Sequence, residues 1–267
     1  MIYFIVCLIF IFFAIFSIRF KWWKKDIDLA YPRVLMYHMI SEHLDEKESK
    51  FNRLRVKPKQ FEKHLIWLKK NGFTSYFLSE ISSNLPKKSI ILTFDDGYKD
   101  NLINALPLLK KYGFKATIFI VVDRLNNNWA KDRDSGESSN ELNKEIMLSN
   151  NDVRELLKSG IIEIGSHTIT HANLPNLDEE ELDFELGESK RLIENTFCIE
   201  CKSFAYPFGF LNDKCVKIAK KYYHFATTTH NDVYKSSYSN HEIPRILISG
   251  RSGILSFMLK IKKGRAR

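Results

Sequence analysis

Cysteine is scarce in this sequence, with four residues among 267, and nothing in their positions resembles a disulfide framework. Cys7 lies in an apolar stretch, Cys215 stands alone, and only Cys198 and Cys201 form a C-x-x-C pair. One such pair, without a second pair or thioredoxin-like surroundings, is a weak signal for zinc or redox chemistry. We interpret its spacing as coincidental and look for the chemistry elsewhere.

Charge is absent from residues 2–18, a run that reaches the lower limit of about 17 residues for a membrane-spanning helix. No Lys or Arg precedes the run and no small-residue cleavage site follows it, which argues against a cleaved signal peptide. We therefore expect a transmembrane anchor over residues 1–19 and a basic juxtamembrane linker over 20–30. Because the flanking basic residues follow the run, the positive-inside rule predicts a cytoplasmic location for the remaining chain.

Recognition motifs for nucleic acid are also missing, although the net charge is +9, so we expect no nucleic-acid partner. Basic and apolar residues are mixed in the tail, residues 253–267. This pattern has two interpretations. The tail is either a basic amphipathic segment that lies against an anionic membrane surface, or a final helix packed on the core.

The sequence between the linker and the tail alternates predicted strands with predicted helices, which indicates an α/β domain over residues 31–252. The strand candidates are continuous apolar runs, as expected for a parallel sheet that is covered on both faces. About seven such repeats predict a closed or nearly closed barrel. A polar, Asn-rich stretch at 126–145 reads as a surface loop. The predicted strands cover residues 33–37, 90–94, 116–122, 161–164, 203–206, 225–228 and 243–248.

Polar residues or prolines follow several of these strands directly: His38, Asp95, Asp96, His167 and Pro207. In α/β barrels the functional site collects at the carboxyl ends of the strands. We therefore expect these residues, although far apart in sequence, to meet at one mouth of the barrel.

Two histidines four residues apart, His167 and His171, share the segment G-S-H-T-I-T-H. The three residues between them are all β-branched, which favours a turn over a helix interior. Two imidazoles and one carboxylate, with an open position for water, form a recognised catalytic metal arrangement. One of the two adjacent carboxylates could bind the metal while the other accepts a proton from water. The pattern thus predicts metal-assisted hydrolysis.

Three motifs together resemble the successive motifs of the polysaccharide deacetylases, the NodB-homology or carbohydrate esterase 4 family. These motifs are T-F-D-D-G at residues 93–97, H-T-I-T-H at 167–171 and A-Y-P-F-G at 205–209. The resemblance covers roughly residues 30–250. It implies a distorted (β/α)7 barrel, here preceded by the N-terminal transmembrane helix, and the removal of N-acetyl groups from amino sugars.

Carried over by position, the resemblance assigns roles to the acidic and histidine residues. Asp95 matches the general base. Asp96, His167 and His171 match the ligands of a divalent metal, either Zn²⁺ or another ion such as Ni²⁺, Co²⁺ or Fe²⁺.

In the third motif, the resemblance makes the backbone N–H of Phe208 a donor to the oxyanion. Tyr206 and Pro207 would contact the substrate. Such an oxyanion donor typically contributes about 3 kcal/mol to transition-state stabilisation.

Two departures from the family pattern affect these assignments. The usual Arg two residues before the motif's Pro is replaced by Ala205, and the late Leu-x-His motif that supplies the general acid is missing. A subgroup resembling the poly-N-acetylglucosamine deacetylases uses an early His instead, which here is His38. We expect His38 to be the acid and Arg245 to orient Asp95 in place of the missing Arg.

The substrate stays open at this point. The predicted anchor and basic tail favour an N-acetylhexosamine on a lipid-linked intermediate of lipopolysaccharide or lipid A synthesis, at the cytoplasmic face of a bacterial inner membrane. The subgroup-like motifs favour an exported polymer, poly-N-acetylglucosamine or peptidoglycan, with the domain in the periplasm or outside the cell. A third interpretation is a membrane-tethered glycan-binding protein without activity. The oligomeric state is not predicted.

Overall fold

The computed structural model describes residues 2–20, 23, 25–47, 49–125 and 141–264. Within these residues, eight strands form one sheet in which every pairing is parallel. The strands are β1 (Arg33–Tyr37), β2 (Thr74–Tyr76), β3 (Ser89–Phe94), β4 (Ala116–Ile120), β5 (Ile162–Ser166), β6 (Ser203–Ala205), β7 (Phe225–Thr227) and β8 (Ile246–Leu247).

The strand order is β7-β6-β5-β4-β3-β1-β8, with β2 paired to β3 outside this path. An isolated parallel bridge between Thr227 and Ile243 links β7 to the segment that precedes β8. The sheet therefore curls into a partial barrel, which confirms the predicted parallel α/β architecture.

Helices follow most of the strands along the chain. Two π-helical turns, Asn101–Ala105 and Phe184–Glu188, interrupt this pattern, and the second lies between α5 and α6. The α-helices are α1 (Ile2–Phe20), α2 (Pro58–Lys70), α3 (Leu106–Tyr112), α4 (Asn150–Lys158), α5 (Glu179–Asp183), α6 (Ser189–Phe197), α7 (Asp213–Tyr222) and α8 (Ile254–Lys263).

Local sequence explains where several helices begin. The first turn of a helix leaves backbone N–H groups without a partner, and Pro58 at the start of α2 has no N–H to leave. The buried side of α2 includes Phe61 and Leu68. The predicted capping box of α4 is confirmed, because Ser149 accepts from the Asp152 N–H and Asp152 accepts from the Ser149 N–H.

The strand predictions were wrong at two places. The three-residue strand β2 was not predicted, since its T-S-Y sequence is too short and polar to produce an apolar run. Of the predicted strand 243–248, only Ile246–Leu247 pairs with β1. Pro244 cannot donate a backbone hydrogen bond, so the segment breaks there. Most of the predicted loop at 126–145, residues 126–140, lies outside the described residues.

The N-terminal prediction of a membrane anchor is not supported. Among the residues that the structure describes, no helix combines the length and apolarity needed to cross a bilayer.

The C-terminal tail packs on the domain, as the second of its two interpretations expects. Phe257 and Ile261 on α8 are buried, and Lys260 donates to the carbonyl of Leu247 at 2.6 Å. The Ile261 carbonyl also accepts from Arg33 on β1, so α8 is tied to the first strand of the sheet. Residues 265–267 lie outside the described part.

Candidate active site

Parallel register brings the predicted site residues to one edge of the sheet. Tyr37 pairs with Phe94, so that the next residues, His38 and Asp95, leave neighbouring strands side by side. Directly after β5, the backbone N–H of His167 donates to the carbonyl of Ile120, the last residue of β4. The expected grouping at the carboxyl ends of the strands is thus confirmed.

Three buried side chains converge at this edge: Asp96, His167 and His171. The Nε2 atoms of His167 and His171 lie 3.4 Å and 3.5 Å from Oδ1 of Asp96, and the three ligand atoms lie within 4.8 Å of one another. A tetrahedral Zn²⁺ with bonds of about 2.0–2.2 Å separates neighbouring ligand atoms by about 3.4 Å. The spacing therefore fits a small divalent cation.

The tautomer of His167 also fits a metal ligand. Its Nδ1 lies 2.7 Å from the carbonyl oxygen of Ala205. Because a carbonyl only accepts, Nδ1–H must donate, and in the neutral ring Nε2 keeps its lone pair toward Asp96. Such a partner on the far nitrogen is the usual support for a metal-binding imidazole.

Electrostatic effects favour the protonation states in which Asp96 and His171 can bind a cation. Burial would raise the pKa of Asp96, but the neighbouring His167 and His171 side chains hold it well below the usual value. Burial lowers the pKa of His171, which favours its neutral ring. An ionised carboxylate beside neutral imidazoles is the state that a divalent metal requires.

A left-handed backbone turn separates the two adjacent carboxylates. Asp96 has φ 76° and Gly97 has φ 84°. A strained residue of this kind costs on the order of 1 kcal/mol or more, although Asp tolerates the conformation better than most side chains. A Cβ on Gly97 would also lie 3.2 Å from Cγ2 of Ile120. The turn lets Asp95 and Asp96 serve different partners at one site.

Asp95 is held by the predicted partner Arg245, and this pairing is confirmed. Nη1 and Nη2 of Arg245 donate to the two carboxylate oxygens at 2.6 Å and 2.7 Å. Arg245 also donates to the Thr228 carbonyl and to Thr93 Oγ1. Burial would raise the pKa of Asp95, but the Arg245 guanidinium more than offsets this and lowers it.

His38 follows β1 directly, at the same edge of the sheet as Asp95. It is half-buried, and its charge contributes to lowering the pKa of both Asp95 and Asp96. Its carbonyl accepts from Nδ2 of Asn101 at 2.9 Å, on the first π-helical turn. The structure therefore places His38 beside the two carboxylates, and its role as the general acid stays a prediction.

The Pro207–Gly209 turn forms the opposite wall. Phe208 has φ 58°, and its ring packs edge-on against His171, with centroids 4.5 Å apart. The side chains of Tyr206 and Pro207 are both buried, and their contacts with substrate stay a prediction. The Tyr206 hydroxyl donates to the His241 carbonyl.

One buried acid beside the site was missed by the sequence interpretation. Glu185, on the second π-helical turn, accepts hydrogen bonds from residues 169 and 170, which lie between His167 and His171. In the sequence it reads as a polar position of an amphipathic helix, and only the fold shows what it contacts.

Comparison with known proteins agrees with this geometry. Residues 82–225 match the family model described as polysaccharide deacetylase. The YxkH protein of Bacillus subtilis (strain 168), which carries a polysaccharide deacetylase name, is 34% identical over 86% of this chain and 76% of its own length. A poly-beta-1,6-N-acetyl-D-glucosamine N-deacetylase of Staphylococcus aureus (strain MRSA252) is 30% identical over 73% of this chain and 68% of its own.

A solved structure extends the agreement to the fold. A polysaccharide deacetylase from Bacillus cereus superimposes with a TM-score of 0.73 at 31% identity, covering 87% of this chain and 69% of its own. The catalytic motifs, the barrel and the buried Asp/His/His cluster therefore lead to one conclusion. The chain belongs to the polysaccharide deacetylase family and is a carbohydrate N-deacetylase.

Proposed function

We propose that this protein removes N-acetyl groups from N-acetylglucosamine units of an exported polymer, of the poly-β-1,6-linked type. The observation that carries the hydrolytic part is the buried Asp96, His167 and His171 cluster beside an Arg245-bound Asp95. The name of the Staphylococcus aureus relative supports the choice of polymer.

Asp96, His167 and His171 would hold the divalent cation. When bound, a Zn²⁺ or similar ion would polarise the acetamide carbonyl and make a water molecule more acidic. Other divalent ions, including Ni²⁺, Co²⁺ and Fe²⁺, suit the same nitrogen and oxygen donors.

Asp95 would act as the general base. Its pKa is lowered by Arg245, so it is ionised at neutral pH and can accept the proton of the attacking water. The bidentate contact with Arg245 fixes the plane of the carboxylate. This orientation replaces the one that the family's missing Arg, at the position of Ala205, would provide.

Two further groups would act on the substrate's acetamide. The backbone N–H of Phe208, in the left-handed turn beside His171, would donate to the oxyanion. His38 would give its proton to the leaving amine, because an amine is expelled poorly as an anion.

A groove next to the catalytic edge supports a polymeric substrate over a single lipid-linked sugar. The groove has a volume of about 790 Å³ and begins at Gly209, beside Phe208, and at Thr228, whose carbonyl accepts from Arg245. Its wall includes Ser237, Tyr238 and other polar side chains that could hydrogen-bond to sugar hydroxyls. The lipid-linked interpretation also loses support because α8, with most of the basic tail, packs on the core.

The experiment compares acetate release from a β-1,6-linked N-acetylglucosamine pentamer, a β-1,4-linked pentamer and the monosaccharide. We expect the highest kcat/KM on the β-1,6 pentamer. Equal rates on all three would contradict the polymer assignment. No release from any of them, with the pentamer still bound, would favour the inactive glycan-binding protein.

The groove has its own test. Ser237→Trp places a bulky ring on the groove wall and is expected to raise KM for the pentamer while leaving the monosaccharide rate unchanged. Ser236→Trp is the matched control, since Ser236 is also exposed but does not line the groove. Equal effects of the two variants would exclude the groove from binding.

We propose further that the catalytic domain acts outside the cytoplasm, where an exported polymer is found. A lipid-linked substrate at the cytoplasmic face of the membrane would require the opposite location for the domain. A C-terminal reporter that is active only outside the cytoplasm distinguishes these two locations of the domain. Absence of reporter activity in a strain that produces the full-length fusion would contradict this proposal.

A further inference from the structure

Glu185 binds the loop that carries both histidine ligands. Its Oε2 accepts from the backbone N–H groups of Ile169 at 2.8 Å and Thr170 at 3.1 Å. Its Oε1 accepts from Thr170 Oγ1 at 2.6 Å. Ile169 and Thr170 lie between His167 and His171, so one carboxylate holds the middle of the metal-binding segment.

The loop has an unfavourable backbone that depends on such contacts. Thr168 has φ 69° and His171 has φ 57°, and a β-branched residue such as Thr rarely adopts this conformation. Inside the loop, Thr168 Oγ1 accepts from the His171 N–H at 2.9 Å. On one side, the N–H of Val122, two residues beyond β4, donates to the Thr168 carbonyl. Glu185 supplies the contacts on the opposite side.

Both oxygens of Glu185 are occupied by these loop donors, and only 7% of the residue is exposed. Direct proton exchange with a substrate is therefore not its task. Its place on the π-helical turn Phe184–Glu188 is consistent with a functional position, because single π turns within helices are frequent at functional sites.

We infer that Glu185 is a positioning residue that fixes the His167–His171 loop in the geometry required for metal binding. It touches neither the ligand atoms nor the substrate and acts through three hydrogen bonds to residues 169 and 170. The inference deepens the metal site on which the proposed function depends.

The test is Glu185→Gln, with Glu180→Gln as the matched control. Glu180 is an exposed glutamate on the neighbouring helix α5. The amide introduced by Glu185→Gln keeps one acceptor oxygen but points an NH₂ group at a loop donor. Loss of a group that orients metal ligands typically weakens metal binding about 10- to 100-fold. We expect this loss in Zn²⁺ affinity, measured by competition with a chelating dye, only in the Glu185 variant.

Hydrogen exchange of the metal-free protein separates this inference from the proposed function. The amides of Ile169 and Thr170 are expected to exchange at least about tenfold faster in Glu185→Gln, whether or not the wild type binds Zn²⁺. A wild type that binds no Zn²⁺ would overturn the metal site alone. Unchanged amide exchange together with a Zn²⁺ Kd within about twofold of wild type would overturn the role of Glu185.

If Glu185→Gln does not fold, Thr170→Val decides the question. Valine keeps the shape of threonine but removes the hydroxyl that donates to Glu185. A smaller loss of Zn²⁺ affinity than expected for Glu185→Gln, with an unchanged melting temperature, supports the inference. An unchanged Kd in this folded variant overturns it.

Discussion

Arg245 and Asp95 form a buried, bidentate ion pair between residues that lie 150 positions apart in the sequence. The two N–O distances are 2.6 Å and 2.7 Å, and Arg245 has no exposed surface. Removing one partner of a buried pair typically costs about 3–5 kcal/mol, because the other charge is left without compensation. The pair therefore stabilises the domain only as a unit, and it sets the charge state and orientation of the proposed base.

The first prediction concerns the shape of this pair. Arg245→Lys keeps the positive charge but loses the planar fork that contacts both oxygens. We expect kcat to fall about tenfold or more, because the carboxylate is no longer fixed. The measurement is steady-state acetate release, with exposed Arg251→Lys as the control. Equal kcat in both variants would contradict the orienting role.

Arg245→Lys is also expected to change the pH dependence of kcat/KM. Burial raises the pKa of Asp95, and Arg245 more than offsets it, so the folded pKa lies below the usual value. Activity that needs the ionised carboxylate is present above this pKa and is lost as the pH falls through it. Weakening the contact in Arg245→Lys raises the pKa, so the acid limb of kcat/KM moves to higher pH. An unmoved limb would contradict the assignment of that limb to Asp95.

The proposed acid, His38, is tested by a pair of substrates. His38→Gln is expected to lower the rate on the N-acetylglucosamine pentamer by about 10²- to 10⁴-fold, because the amine leaves only when protonated. An activated ester such as 4-nitrophenyl acetate releases a stable phenolate and needs no acid. Its hydrolysis should therefore be nearly unchanged. Equal losses on both substrates would show that His38 does not act as the acid.

The sequence predicted the residues of the site better than it predicted their supports. Strand-end positions were enough to group His38, Asp95, Asp96 and His167, because parallel strands deliver their carboxyl ends to one edge. The pairing of Arg245 with Asp95 was also predicted, from the residue missing at Ala205. The grouping needs only strand direction, whereas the pairing of Arg245 with Asp95 depends on the resemblance to the family pattern.

The contacts of Glu185 and the burial of Tyr206 could not be predicted, because they depend on how helices and loops pack. A helical glutamate is usually a solvated residue, and its contacts with residues 169 and 170 exist only once the helix covers the β5 loop. The sequence did not decide between the two interpretations of the C-terminal tail for the same reason. Its apolar stripe fits either a membrane or a core, and the structure packs it on the core.

The packed tail gives a stability prediction. Burial lowers the pKa of Lys260 to about 8, whereas an unfolded lysine has a pKa of about 10.4. The cost of burying the charge is therefore fully present below about pH 8 and disappears as the pH rises toward the unfolded value. The gain in free energy of unfolding from Lys260→Met should be larger at pH 7 than at about pH 10.5, by up to about 3 kcal/mol.

Urea denaturation at the two pH values measures this difference. Lys262→Met is the control, because Lys262 lies on the same helix but is exposed. The same pH trend in both variants would show that the charge of Lys260 is not buried in solution.

The two adjacent carboxylates are proposed to have separate tasks, Asp95 as the base and Asp96 as a metal ligand. The most direct measurement compares Asp95→Asn with Asp96→Asn by metal content and acetate release from the same purified samples. We predict that Asp95→Asn keeps its metal but loses nearly all activity, while Asp96→Asn loses both. An Asp95→Asn protein that still releases acetate, or an Asp96→Asn protein with full metal content, would contradict the account.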